Sequence, residues 1–430
     1  MQEQAESLVI KGGTPLRGEV RINTAKNSAL YLILASLLTH ETVTLRDIPR
    51  LSDVLVALEI LEHVGVEVRW EGRDLHLHAA RIRSCGAPYS LVSKMRASFV
   101  AMGALLARCG RARISMPGGC AFGPRPVDRH ITAFQALGAV IDEEGGDFHA
   151  FRSGPLAGRA VFEAPTVGGT QNVILATALE GGSVTIENAA LEPEIADLAN
   201  MLNAMGARIT GAGTSTIRIE GVPELSGVDY RPVPDRIEAG TLMLATAATR
   251  GTVTLRGVAP AHLEAVSAKL RETGVRIVEV ADDALLVDAS GELKPADVTA
   301  AEYPEIPTDL QAPFSAYLAT LPGASVVRDK VYPDRFTHVE ELRRTGADVE
   351  LFERTLIIRG GQLAGARLHA ADIRAGGALV IAALSAKGTS TIGGLQFIDR
   401  GYEALTERLS QLGAQVSRRV VTAPSPTSGD

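Results

Sequence analysis

The sequence predicts a mixed α/β chain of two similar domains. Three observations carry that expectation: a phrase that recurs six times, a second phrase with the same period, and one Pro- and Gly-dense break between the third and fourth copies. At 430 residues the chain is past the size at which a single hydrophobic core keeps growing. The first phrase is a helical run of Leu, Val and spaced charges that ends at Gly and restarts as a β-branched strand. Its copies LEILEHVGVEV, FQALGAVID, LNAMGARIT, KLRETGVRIVEV, ELRRTGADVEL and RLSQLGAQV set Gly65, Gly138, Gly206, Gly274, Gly346 and Gly413 between 67 and 73 residues apart. Glycine in that place reads as a left-handed helix stop, and the residues after it favour the pleat.

The second phrase is an Ala- and Leu-rich helix followed by a Thr- and Val-rich strand, with strands starting at Thr42, Arg111, Ser183, Thr252, Ala324 and Thr389. The two helices of each unit have different jobs. TLMLATAAT is apolar all round and belongs in a core, whereas HLEAVSAKLRET puts Leu263, Val266 and Leu270 on one stripe and Glu264, Lys269 and Glu272 outside. The break at 221–240, GVPELSGVDYRPVPDRIEAG, leaves three units on each side. Units of this length lack solenoid signatures, so closed modules are expected, and the aperiodic tail 420–430 is expected to be disordered.

Composition narrows the function. With 43 basic and 50 acidic residues the net charge is −7, against a general binder of nucleic-acid backbone. Cys85, Cys109 and Cys120 form an odd, scattered set that suits a reducing compartment and implies a cytoplasmic protein. MQEQAESLVI is no signal peptide, and the apolar runs 29–38 and 378–384 are too short to span a bilayer. Walker, dinucleotide, zincin and CxxC signatures are absent, and His76 and His78 in LHLH share a strand face that reads as a solvated edge.

Four polar segments interrupt the repeat with charges its packing does not need. In NTAKNSAL, Lys26 and Asn27 precede a buried-type helix, where an anion would meet helix amides and an ammonium; the plainer reading makes Asn27 or Ser28 an N-cap. PGGCAFGPRPVDRHI exposes Cys120 between glycines and leads through Arg125, Pro126 and Asp128 into a helix, a setting that favours a thiolate and bound anions. In EYPEIPTDLQAPF, Asp309 stands before an apolar helix, with Thr308 or Asp309 as an ordinary cap the alternative. LHAADIRAGGALV and FIDRGYE offer Asp372, Arg374, Asp399 and Arg400, for which surface ion pairs are the plainer reading.

These segments in this order, with SKMRAS and ENAALEPEI, resemble the UDP-N-acetylglucosamine enolpyruvyl transferases (1-carboxyvinyltransferases) over residues 8–419. The resemblance implies two domains, each of three βαβαββ units around buried helices, an inside-out α/β barrel. It places one domain at 1–23 and 233–419, the other at 24–232, and the active site in the cleft between them. It implies transfer of the enolpyruvyl group of phosphoenolpyruvate to the sugar 3-hydroxyl with release of phosphate, the committed step of peptidoglycan precursor synthesis. No metal or redox cofactor is expected, and a monomer is the expected state.

By the same resemblance Cys120, Asp309 and Lys26 are catalytic. Lys26, Asn27, Arg125 and Arg400 hold phosphoenolpyruvate. Arg96, Arg125, Pro126, Val127, Asp128, Thr166, Val167, Gly168, Asp309 and Val331 hold the sugar nucleotide, and Asp372 and Arg374 close the cleft wall. The competing readings are the shikimate-pathway enolpyruvyl transferase, whose members lack the GGC loop and the RPVD segment, an RNA 3′-phosphate cyclase, and a DNA sliding clamp. A clamp needs Lys and Arg along its repeated helices, and LYLILASLL, NVILATALE and TLMLATAAT carry none.

Overall fold

The computed structural model describes residues 5–93, 96–116 and 127–421. The chain divides into two compact units. One, here the Asp309 unit, is built from Met1–Ile22, Arg236–Ala301 and Glu305–Asp430; the other, the Lys26 unit, from Asn23–Asp235 with Glu302–Pro304.

The six glycines of the repeat all take left-handed backbone, with φ of 107, 96, 107, 98, 81 and 89° at Gly65, Gly138, Gly206, Gly274, Gly346 and Gly413. Each ends an outer helix where the sequence phrase ended it, because only a residue without Cβ enters that region freely. The outer helix Glu264–Glu272 buries Val266 and Leu270 and leaves Glu264 and Glu272 exposed.

Each repeat also contributes one inner helix, and these form the cores. In the Lys26 unit they are Lys26–Ala35, Ala101–Cys109 and Val167–Thr177; in the Asp309 unit, Arg236–Ala248, Gln311–Leu318 and Ile373–Ser385. Residues 237–248 are buried without a break, as are 311–318 and 374–384. Helices this rich in Ala, Leu and Val on every side belong in a core, with Glu238, Gln311 and Arg374 as polar exceptions at their first turns.

The sheets repeat one strand order. A leading strand runs parallel to the next strand, which pairs antiparallel with the far strand of the hairpin that follows. Gly86–Ala87, Arg111–Ser115, Asp147–Phe151 and Val140–Glu144 lie side by side in that order. So do Gly158–Val161, Ser183–Glu187, Thr216–Glu220 and Arg208–Thr210, and likewise Val298–Ala300, Gly323–Asp329, Thr355–Gly360 and Asp348–Phe352.

Two other sheets have exchanged leading strands. Arg17–Arg21 runs parallel to Thr252–Arg256, and Val228–Tyr230 runs parallel to Thr42–Leu45. In the sixth sheet, Ala5–Lys11 fits between Thr389–Gly393 and Gln415–Val421, antiparallel to both. That last strand runs through Val420 and Val421, into the segment expected to be disordered. Its partners are Glu6 and Ala5, and pairing so distant in sequence leaves no local periodic signal.

Within the Lys26 unit the inner helices touch at Gly103, whose N–H donates to Asn172 Oδ1 at 2.8 Å. A Cβ there would sit 2.3 Å from the Asn172 carbonyl oxygen and 2.4 Å from its side-chain oxygen. Asn172 is fully buried and also meets His130 Nδ1 at 2.9 Å, so it has nowhere to move. Overpacked cores lose about 1–3 kcal/mol. Gly103→Ala is expected at or above the upper end of that range, read as a lowered urea midpoint with unchanged slope.

Candidate active site

The candidate residues fall into two groups, one in each unit. Lys26 is the first residue of its inner helix and is 6 % exposed. Its ammonium lies 3.1 Å from the carboxylate of Asp53, itself 5 % exposed at the start of the helix Ser52–Val64. Its backbone N–H donates to Asp235 Oδ2 at 3.0 Å. A buried ammonium requires an anionic neighbour, and Asp53 provides one.

Neither Asn27 nor Ser28 caps this helix, whose N-cap is Ala25 without a side-chain bond. The Ser28 hydroxyl instead donates to Asp197, which also accepts the Tyr230 hydroxyl at 2.7 Å and the Val233 N–H at 3.2 Å. Burial pushes the Asp197 carboxyl above its usual range, and the bonds from Ser28, Tyr230 and Val233 work against that rise. Through this fully satisfied carboxyl the segment 230–235 is stapled to the turn that carries Lys26 and Asn27.

Thr166 caps the inner helix Val167–Thr177, its hydroxyl accepting from the Gly169 N–H at 3.3 Å, so Val167 and Gly168 form the open first turn. Gly168 packs on the imidazole of His130, where a Cβ would lie 3.2 Å from Cε1. Val127 is buried just before the helix Asp128–Ala136, and Asp128 is exposed in its first turn. Arg96 begins the 3-10 turn Arg96–Val100. Cys120, Arg125 and Pro126 lie outside the described residues.

The second group is a continuous polar network. Asp309 sits in the 3-10 turn Thr308–Leu310, ahead of the inner helix Gln311–Leu318. One carboxylate oxygen is 2.8 Å from Arg335 Nη1, the other 3.0 Å from Arg374 Nη2. The arginine side chains are 8 % and 7 % exposed, and that of Asp309 is 23 % exposed. Burial alone would raise the Asp309 carboxyl; Arg374 and Arg335 overcome it and hold the group well below the usual carboxylate range.

Neither Thr308 nor Asp309 is a helix cap. Thr308 donates to Asp329 at 2.5 Å and accepts from Arg335 at 3.1 Å. The other Asp329 oxygen accepts the N–H groups of Val331 and Tyr332 at 2.9 and 2.8 Å, which fixes the turn holding Val331.

Asp372 is the cap of its helix. One oxygen accepts from the N–H groups of Arg374 and Ala375 at 2.9 and 3.1 Å, and the other accepts the Thr337 hydroxyl at 2.6 Å. It therefore orients Arg374 through the backbone. Asp372→Ala is expected to cost about 0.5–2 kcal/mol of stability in denaturant titration, whereas Asp372→Asn keeps most of the cap.

Arg400 is half-buried in the turn after the helix Leu395–Ile398, and Asp399 pairs with Arg418 at 2.9 Å, an ordinary surface ion pair. His338 is buried beside Asp372 and Arg335, and that burial pushes its imidazole down to about 4, neutral at physiological pH.

Arg335 and Asp53 were missed in the sequence. Arg335 sits in VYPDRF, a turn with no periodic signal, and Asp53 looks like any acid favoured in a first helical turn. His76 meets Thr44 at 3.0 Å and His78 meets Glu67 at 3.6 Å; among the described residues no cluster of three or more His, Cys, Asp or Glu could hold a metal ion. Among them, too, no helix is long and apolar enough to cross a membrane.

Residues 10–409 match the family described as EPSP synthase (3-phosphoshikimate 1-carboxyvinyltransferase). The chain belongs to this enolpyruvyl transferase family. It is 56 % identical over 412 residues to a UDP-N-acetylglucosamine 1-carboxyvinyltransferase of Thermus thermophilus, covering 96 % of each chain. It is 54 % identical over 413 residues to the protein of that name in Deinococcus deserti, covering 96 % of this chain and 97 % of the relative.

Among solved structures, the enolpyruvyl transferase NikO from Streptomyces tendae superimposes with a TM-score of 0.86 at 24 % identity, over 97 % of this chain and 100 % of that one. An EPSP synthase from Acinetobacter baumannii gives 0.74 at 19 %, over 96 % and 100 %. These two likenesses show the fold, the two-domain α/β architecture expected from the repeat. A sliding clamp is not favoured.

Proposed function

We propose that this enolpyruvyl transferase moves the enolpyruvyl group of phosphoenolpyruvate to the 3-hydroxyl of UDP-N-acetylglucosamine and releases phosphate. The observation that carries the reading is the 56 % identity, spread over 96 % of both chains, to a relative named for that acceptor. The product is a peptidoglycan precursor, so the enzyme serves cell-wall growth, cell shape and division from the cytoplasm and is open to the phosphonate epoxide fosfomycin.

In this reaction the methylene carbon of phosphoenolpyruvate gains a proton, the sugar oxygen bonds to the adjacent carbon, and phosphate and a proton then leave. Lys26, Arg125 and Arg400 meet the phosphate and carboxylate charges, with Asn27 beside them. Cys120 assists proton transfer. Arg96, Pro126, Val127, Asp128, Thr166, Val167, Gly168 and Val331 receive the sugar nucleotide.

Asp309 accepts the hydroxyl proton, and its environment constrains when it can do so. Between two guanidiniums it is ionised, as a base must be, but holds a proton weakly. Anionic substrate drawing Arg374 or Arg335 toward itself restores proton affinity at the moment the acceptor is in place. The arginines thus keep the base idle until substrate arrives.

The test is direct. The purified chain given phosphoenolpyruvate and UDP-N-acetylglucosamine should release phosphate mole for mole with an enolpyruvyl ether detected by mass. Turnover with shikimate 3-phosphate in place of the sugar nucleotide would favour the shikimate-pathway reading.

A further inference from the structure

Cys85 and Cys109 are separated in sequence but belong to one end of one strand pair. Cys85 immediately precedes the strand Gly86–Ala87, and Cys109 is the last residue of an inner helix, two residues before the strand Arg111–Ser115. The strands are parallel, with Gly86 opposite Arg113 and Ala87 opposite Ile114, a register that sets Cys85 beside Ala112, three residues after Cys109. The Arg113 N–H donates to the Cys85 carbonyl at 2.9 Å and holds that end closed. The two side chains are close enough to influence one another, and both residues are half-buried.

We propose that Cys85 and Cys109 form a dithiol oxidation site that closes to a disulfide by exchange with a small-molecule disulfide of the glutathione class. The Cys85 thiolate attacks one sulfur of the small disulfide, a mixed disulfide forms at Cys85, and one small thiolate leaves. The Cys109 sulfur then attacks the Cys85 sulfur, its proton passes to the second departing thiolate, and the protein S–S bond closes. Two protein thiols are oxidised and one small disulfide is reduced to two thiols.

The order of attack follows from the surroundings. Burial, and then the neighbouring Cys85 side chain, push the Cys109 thiol up to about 12, with Arg108 and Arg111 offsetting only part, so Cys109 stays protonated until Cys85 has reacted. The closed loop spans residues 86–108, which include Arg96 and almost the whole inner helix Ala101–Cys109. Tying that helix end to the sheet edge restrains the unfolded chain and favours the folded Lys26 unit.

The experiment uses the full chain carrying Cys120→Ser, so that the third thiol cannot take part. After incubation with oxidised glutathione, non-reducing digestion should yield one linked peptide pair containing Cys85 and Cys109, an intact mass lower by two hydrogens, and a thermal midpoint raised by several degrees. Adding Cys109→Ser should stop the reaction at one glutathione adduct on Cys85, and adding Cys85→Ser instead should leave Cys109 unmodified. A lasting glutathione adduct without the linked pair, a cross-link between chains, or faster modification of Cys109 than of Cys85 would each overturn the proposal.

Discussion

Fosfomycin is expected to abolish turnover by alkylating one thiol, Cys120, at one equivalent per chain. The selectivity comes from where the phosphonate is held. Lys26, Arg125 and Arg400 are proposed to bind the substrate phosphate, so the same cations would bring the epoxide to Cys120 and to no other cysteine. Cys109 is removed from competition because burial and the neighbouring Cys85 side chain push its thiol up to about 12. UDP-N-acetylglucosamine should accelerate labelling. Peptide mapping should find a single adduct on the peptide containing Gly119, Cys120 and Ala121; adducts on Cys85 or Cys109, or none with the sugar nucleotide present, would sink the assignment.

Asp309→Asn should lower kcat by roughly a hundredfold to ten-thousandfold, the usual share of a positioned base. A carboxamide offers an oxygen to one guanidinium but cannot take the hydroxyl proton. Because Asp309 joins Arg335 and Arg374, some stability goes with the charge, roughly 1–3 kcal/mol at most, less where solvent reaches the carboxylate. Affinity for UDP-N-acetylglucosamine, read by calorimetry, should change little. Near-normal kcat at saturating substrate would reduce Asp309 to an anionic bridge between two arginines.

Much of the architecture was legible because glycine and burial leave strong marks. Gly65, Gly138, Gly206, Gly274, Gly346 and Gly413 stop helices for a stereochemical reason visible in one dimension. The buried inner helices were legible for a similar reason, since TLMLATAAT has no face that water would accept. The site was less legible. Ser28 and Thr308 looked like caps because hydroxyls before apolar helices usually are, yet tertiary partners took both, Asp197 and Asp329. The pairing of Asp309 with Arg335 and Arg374, and of Cys85 with Cys109, joins elements from different places in the repeat, and a linear period says nothing about which side chains meet.

Strands paired far from their neighbours in sequence set a timetable for making the protein. The sheets of the Lys26 unit have all their strands once Val228–Tyr230 has been synthesised. Ala5–Lys11, among the first residues made, pairs only with Thr389–Gly393 and Gln415–Val421, among the last. At about 5–20 residues per second the nascent strand waits on the order of tens of seconds with both edges open. Its sequence, AESLVIK, carries a charge near each end, Glu6 and Lys11, which discourages premature association of strands on neighbouring nascent chains.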